Sequence, residues 1–234
     1  LALTQGNSEY ATFPDTESLL RAMTVPIGVS VLFVIAVVSV LRWWPRIVHD
    51  DHPVRSWVWV VPALMIAGAA LGTDYENLGN IPSSLLVALA GSSLLVGIGE
   101  ELMFRGVTVQ TLRGHGMSET RVGLWSSLIF GGVHITNIIT EGPQAFVQVI
   151  LVAASGYFLY LTYRVSGTIV VPILVHASWD FALFSHNAGN PDPQVYSRQF
   201  LPTLSLIVIV IVLVVRRHKI EPEQIAASGT SPDV

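Results

Sequence analysis

Cysteine is absent from the 234 residues, which excludes disulfides, a thiol nucleophile and cysteine-ligated metals. Lysine is almost absent, and Asp, Glu, Lys and Arg together make up only 12% of the chain, about half of the roughly 25% usual in soluble domains. A net charge of −4, thinly dispersed, offers no basic face for nucleic acid. What the chain has in place of charge is apolar surface: 51% hydrophobic residues and a mean hydropathy of +0.59. That composition belongs to proteins whose solvent is the lipid bilayer.

Seven stretches lack Asp, Glu, Lys and Arg and are long enough to consider as spans: Ala22 to Leu41, Ser56 to Thr73, Leu78 to Gly99, Val122 to Thr140, Gly142 to Tyr163, Val165 to Trp179, and Gln199 to Val215. A perpendicular crossing takes about 20 residues, so the sixth is expected to continue past Asp180 towards Phe184. The expected fold class is all-α, a polytopic membrane bundle of about seven helices. Its parts are a polar segment over 1–21, two N-terminal helices over 22–77, a catalytic core over 78–185, a loop and last helix over 186–215, and a polar tail over 216–234. The first run reads as an anchor, because Arg42-Trp43-Trp44-Pro45-Arg46 follows it with no small-residue cleavage pattern. Arg and Lys alternate between connections. Arg42, Arg46, Arg55, Arg113, Arg121, Arg164, Arg216, Arg217 and Lys219 fall on one set, and only Arg21 and Arg198 on the other. Basic residues stay in the cytoplasm, so the N-terminus is expected outside and the C-terminus inside. Trp43, Trp44, Trp57 and Trp59 fit an interfacial belt at the cytoplasmic ends of the first two spans. The expected location is the cell membrane, multi-pass, with the site facing the cytoplasm.

Glu100 and Glu101 close the twenty-two uncharged residues from Leu78 to Gly99. An ionised side chain at the centre of a spanning helix costs about 2.5–3.5 kcal/mol, so a pair of them marks a site. Glu101 and Arg105 are four apart and face one another on a helix, whereas Glu100 points about 100° away. Glu100 is therefore expected to be buried without a partner, available as a general base. His134 follows Phe130 by one helical turn, and Asp180 follows His176 by the same interval, in two later apolar runs. A histidine and a carboxyl at that spacing can share one cavity. The three runs converge only if the third tilts or continues inward from Glu100 towards Arg113. Gly97, Gly99, Gly131 and Gly132 are expected to let helix backbones approach there. His49-Asp50-Asp51-His52 reads as a solvated turn and His115 as a loop residue, while Glu141, Asp192 and His186 are placed across the membrane from the cavity mouth.

Glu100-Glu101-Leu102-Met103-Phe104-Arg105 resembles the first motif, E-E-x-x-x-R, of the CPBP family of CAAX proteases and bacteriocin-processing enzymes. Phe130 to His134 is similar to its second, F-x-x-x-H, and His176 to Asp180 to its third, H-x-x-x-Asn/Asp. The resemblance covers roughly residues 82 to 184. It implies an intramembrane endopeptidase in which Glu100 and His134 activate water, His176 and Asp180 stabilise the oxyanion, and Glu101 and Arg105 hold the site. An ionised Asp180 cannot donate a hydrogen bond, so it either carries a proton or fixes the tautomer of His176. The expected partners are a membrane-associated protein or peptide and the bilayer, with no cofactor. Zinc on Glu100, His134 and His176 is the metal-dependent alternative. A non-catalytic scaffold with the same motifs and a proton-coupled transporter are the other classes these residues allow.

Overall fold

A computed structural model describes residues 13–137, 142, 145–189 and 200–222. The expectations placed on the first twelve residues of the polar segment, on Glu141, Asp192 and Arg198, and on the tail beyond Pro222 lie outside the described residues. Among those residues the chain is all-helical and contains no strand, only two isolated bridge contacts, Phe13 with Ala188 and His49 with Thr168.

The helices are α1 (Thr16–Leu41), α2 (Trp44–Val48), α3 (Ser56–Gly72), α4 (Tyr75–Asn80), α5 (Ser83–Gly114), α6 (Glu119–Val133), α7 (Ala145–Ser166), α8 (Val170–Phe184) and α9 (Phe200–Arg216). Helices α1, α5 and the Gln148–Ser166 part of α7 are long and apolar enough to cross a membrane, while α3 and α8 are shorter apolar helices. Local sequence sets the ends. Asp15 caps α1 by accepting from the Ser18 amide at 2.7 Å, and Arg42 turns left-handed (φ 57°) to stop it before the Trp-Trp-Pro turn. Gly167 (φ 68°) ends α7 in the conformation that glycine adopts without strain.

Helix α5 is the axis of the bundle. It packs between α1 and α8, α6 lies along α7, and α3 bridges α8 and α9. Val29, Leu32, Phe33 and Val40 of α1, with Val87 of α5 and Ile150 of α7, point outward and exposed. An apolar exterior of this extent suits lipid rather than water.

The sequence placed Glu100 near the edge of its span, and the structure corrects this. Helix α5 runs unbroken for 32 residues, so Glu100 sits near its middle. The uncharged run stops at Gly99 but the helix does not, because Arg105 is buried and paired. Two stretches depart from α geometry, each one wide π turn: Leu20–Thr24 in α1 and Leu102–Thr108 in α5. The sixth run does continue to Phe184, as expected. The fourth behaves differently: its α-helix ends at Val133, and His134 opens a 3₁₀ turn, His134–Asn137.

All connections rich in arginine meet at one end of the bundle. Arg113 binds Asp50, Arg164 binds the His52 carbonyl and Glu221, and the Arg55 guanidinium donates to the Glu221 carbonyl. Phe13, Asp74, Ser185 and Ala188 meet at the other end. Asp50 corrects the expected solvated turn, since its side chain is wholly buried against Arg113 while its neighbour Asp51 is exposed.

Candidate active site

Three helices, α5, α6 with the turn that follows it, and α8, bring the six expected residues together. Glycines let them do so at three of the four expected positions. A Cβ on Gly97 would lie 2.7 Å from the Ile173 carbonyl oxygen of α8, one on Gly99 2.8 Å from Val31 of α1, and one on Gly131 2.6 Å from the Val149 carbonyl oxygen of α7. Gly132 meets nothing within 4 Å and has no such role.

At the centre is Glu101, completely buried on α5. Its Oε1 accepts from Arg105 Nη1 at 2.8 Å and from His176 Nδ1 at 2.8 Å. Its Oε2 has no hydrogen-bond partner among the described residues. Arg105, 1% exposed, also donates through Nη2 to the Gly156 carbonyl at 2.8 Å and lies over the Phe130 ring, 4.5 Å from its centroid. Two hydrogen bonds and an aromatic face thus partner the guanidinium, as the burial of a cation requires. Phe130 has a second duty unseen in the sequence: it roofs the arginine and also stands edge-on to the rings of His134 and His176.

His176 is oriented by Glu101. A carboxylate only accepts, so the short contact puts a proton on Nδ1 and turns Nε2 towards Glu100 Oε2 and Asp180 Oδ2, each 3.6 Å away. Of the two roles left open for Asp180, fixing the tautomer therefore falls to Glu101 instead. Neither carboxyl is within hydrogen-bond distance of Nε2, so this nitrogen faces both across the cavity without being bound to either. His134 is oriented by its own backbone, with Nδ1 donating to the Phe130 carbonyl at 2.9 Å, which leaves Nε2 as an acceptor.

Glu100, His134, His176 and Asp180 line one cavity of about 530 Å³, and Glu101 and Arg105 stand behind its wall. Glu100 is not buried as expected: its side chain is 32% exposed, into this cavity. The cavity reaches from Glu100 to Phe13, Ala22, Phe184 and Asn187, all at the arginine-poor end of the bundle. His186, expected across the membrane from the mouth, is buried at that same end, beside Asn187.

Two cavity residues escaped the sequence reading. Asn137 follows His134 by three residues in the 3₁₀ turn, where side chains three apart eclipse, and its Nδ2 donates to Gln148 Oε1 of α7 at 2.9 Å. Gln148, Val152, Ser155 and Leu159 all line the cavity from one stripe of α7. The signal was present: Gln148 is an amide in an apolar run, with its cavity partners at helical spacing.

A preformed zinc site does not fit this geometry. Among the described residues, the one trio of His, Asp or Glu whose ligand atoms lie within 4.8 Å of one another is Asp50, Asp51 and His52. Glu100, His134 and His176 are not so gathered, and Asp50 is already taken by Arg113.

Residues 82–182 match the sequence profile described as type II CAAX prenyl endopeptidase Rce1-like. The chain is also 23% identical, over 158 residues, to the uncharacterized protein YpbD of Bacillus subtilis (strain 168), covering 67% of this chain and 64% of that protein. The chain thus spans somewhat less than two thirds of that relative's length. No solved structure matches it. With the three motifs in order on α5, α6 and α8 and the profile covering all of them, residues 82–182 are similar to the Rce1-like type II CAAX prenyl endopeptidases.

Proposed function

We propose that this chain is a membrane-embedded endopeptidase that hydrolyses a peptide bond in a membrane-associated protein or peptide. The observation that carries the reading is the division between the two adjacent glutamates. Glu101 is fully buried and saturated at Oε1 by Arg105 and His176, while Glu100 faces the cavity beside His176 Nε2. One carboxylate builds the site and the other is left for chemistry.

In the reaction, Glu100 and the free Nε2 of His134 hold a water. Glu100 takes its proton as the oxygen attacks the peptide carbonyl carbon, a use suited to a carboxylate in a partly dry cavity. Negative charge grows on the carbonyl oxygen, and His176 donates to it through Nε2–H, already oriented before the substrate arrives. Asp180 holds that proton in place as counter-charge to the imidazolium. Glu100 then gives its proton to the amide nitrogen, the C–N bond breaks, and an acid and an amine leave. The Rce1-like match points to the same class of activity.

The chain crosses the bilayer several times in this reading. The arginine-rich end lies in the cytoplasm, which puts the start of α1 outside and the end of α9 inside. The test of function is turnover of a quenched fluorescent peptide by purified protein in detergent. Glu100→Gln, which keeps the shape and removes the basic oxygen, is expected to reduce turnover by about 10²- to 10⁴-fold. Retention of more than about one per cent of wild-type turnover would remove Glu100 from the role of base.

A further inference from the structure

The sequence led to a site facing the cytoplasm, and it led to arginine-rich connections in the cytoplasm. The cavity separates these two expectations. On the arginine-rich side of Glu101, the way is filled by Leu102, Ile47, Tyr163 and Ile169, each no more than 4% exposed. Beyond that plug lies an ionic lattice. Arg113 holds Asp50 and Glu119, and Arg164 holds Glu221 with the carbonyls of His52 and Pro53. On the other side the cavity is continuous from Glu100 to residues at the opposite helix ends: Phe13 and Ala22 at the start of α1, Asn137 after α6, Gln148 early in α7, and Phe184 with Asn187 at the end of α8. Among the described residues the only lysine or arginine at that end is Arg21, and it is bound to Glu17.

Orientation in a membrane follows the distribution of Lys and Arg in short connections. Nine of the twelve basic residues belong to the plugged end. We infer that the cavity opens to the non-cytoplasmic side, and that the substrate is a polypeptide segment presented there, exported or in transit through the membrane, rather than the terminus of a cytosolic protein. The choice of substrate rests on the endopeptidase reading; the direction of opening does not. The wall such a segment meets is apolar along α1 and the end of α8, with Met23, Ile27, Trp179 and Leu183, and polar opposite, at Asn137 and Gln148. That arrangement suits an apolar segment entering in extended form, with side chains on one wall and its main chain against the amides.

The absence of cysteine allows single cysteines to be introduced without altering any native thiol. A small, charged, membrane-impermeant methanethiosulfonate reagent is applied to intact cells carrying Ser155→Cys on the cavity wall, Asn187→Cys at its rim, or Ser118→Cys in the turn between α5 and α6. Ser155→Cys and Asn187→Cys are expected to react from outside, and Ser118→Cys only after permeabilisation. Reaction of Ser118→Cys from outside would overturn the orientation. Reaction of Ser155→Cys only after permeabilisation, or not at all, would overturn the opening. Pooled quenched decapeptides of apolar composition are then offered to right-side-out and inside-out vesicles. Cleavage in the right-side-out set is expected, and cleavage confined to the inside-out set would overturn the substrate class. Cleavage in neither set, with the labelling pattern intact, would sink the endopeptidase reading and its substrate while the direction of opening stood.

Discussion

At Glu101 Oε1 two donors converge, and the consequences differ for each partner. Arg105→Lys keeps the charge, but one ammonium cannot serve the forked geometry that reaches both Glu101 and the Gly156 carbonyl. A buried acceptor left without its donor costs about 1–3 kcal/mol, so the melting midpoint in detergent is expected to fall together with activity. Lost activity at an unchanged midpoint would place Arg105 against substrate instead. Asp180→Asn tests a finer point. Because Glu101 already sets the tautomer of His176, the amide removes counter-charge without releasing the ring. Turnover should drop by about tenfold, worth about 1.4 kcal/mol of transition-state stabilisation, while the protein keeps its midpoint. Equal or higher turnover would mean that residue 180 acts as a donor to the oxyanion. These residues were legible in the sequence because charge in an apolar run stands out. Their pairing was only half legible: spacing along one helix predicts Glu101 with Arg105, but nothing in a single chain reports that His176, seventy-five residues on, completes the same carboxylate.

Among the elements, α5 and α8 depend on a contact between backbones. Gly97 faces the Ile173 carbonyl so closely that any Cβ must move one helix. Gly97→Ala should cost about 1–3 kcal/mol by overpacking and reduce turnover, since α8 carries His176 and Asp180. Gly132→Ala, with open space around it, serves as the control and should change neither. A thermal-shift series in detergent checks both, and an unmoved midpoint for Gly97→Ala would show that the helices are looser than their packing indicates. Small residues at a helix contact were readable as a class, but which of four glycines faces a neighbour was not, because it depends on helix rotation, which apolar composition on every face leaves undetermined.

For the whole molecule, the arginine-rich end is the clasp that ties the second connection, α5, α6, α7 and the C-terminal segment together. Glu119 lies at its centre, outside the apolar stretch that begins at Val122. Burial pushes its carboxyl up, but hydrogen bonds from Arg113 and Tyr160 and the charges of Arg113 and Arg164 outweigh this and hold it below its usual 4.5. A depressed carboxyl stabilises the fold above its unfolded value, and that contribution is lost as pH falls through its folded one. Glu119→Gln should therefore lower the midpoint at neutral pH, and the gap from wild type should close below about pH 4.5. A gap that persists in acid would assign the loss to packing. Read in isolation, His49-Asp50-Asp51-His52 is a solvated turn, since charges in loops usually meet water; its burial against Arg113 is a property of five segments meeting and leaves no periodic trace.

The wide turn over Leu102–Thr108 has a further implication for α5. A π turn holds one residue more than an α turn, and each residue advances a helix by about 100°. The two halves of α5 are thus out of phase, like throws on a crankshaft: the upper half aims Glu100 and Glu101 at α8, and the lower half aims Arg113 at Asp50. A π turn absorbs its extra residue, so deleting Val107 would leave both halves near their present phase, whereas closing Leu102–Thr108 to plain α geometry with every residue kept would swing the lower half by about 100°. The residues of the cavity and the clasp could then not both be satisfied, so the widened turn keeps the two ends of this molecule in step.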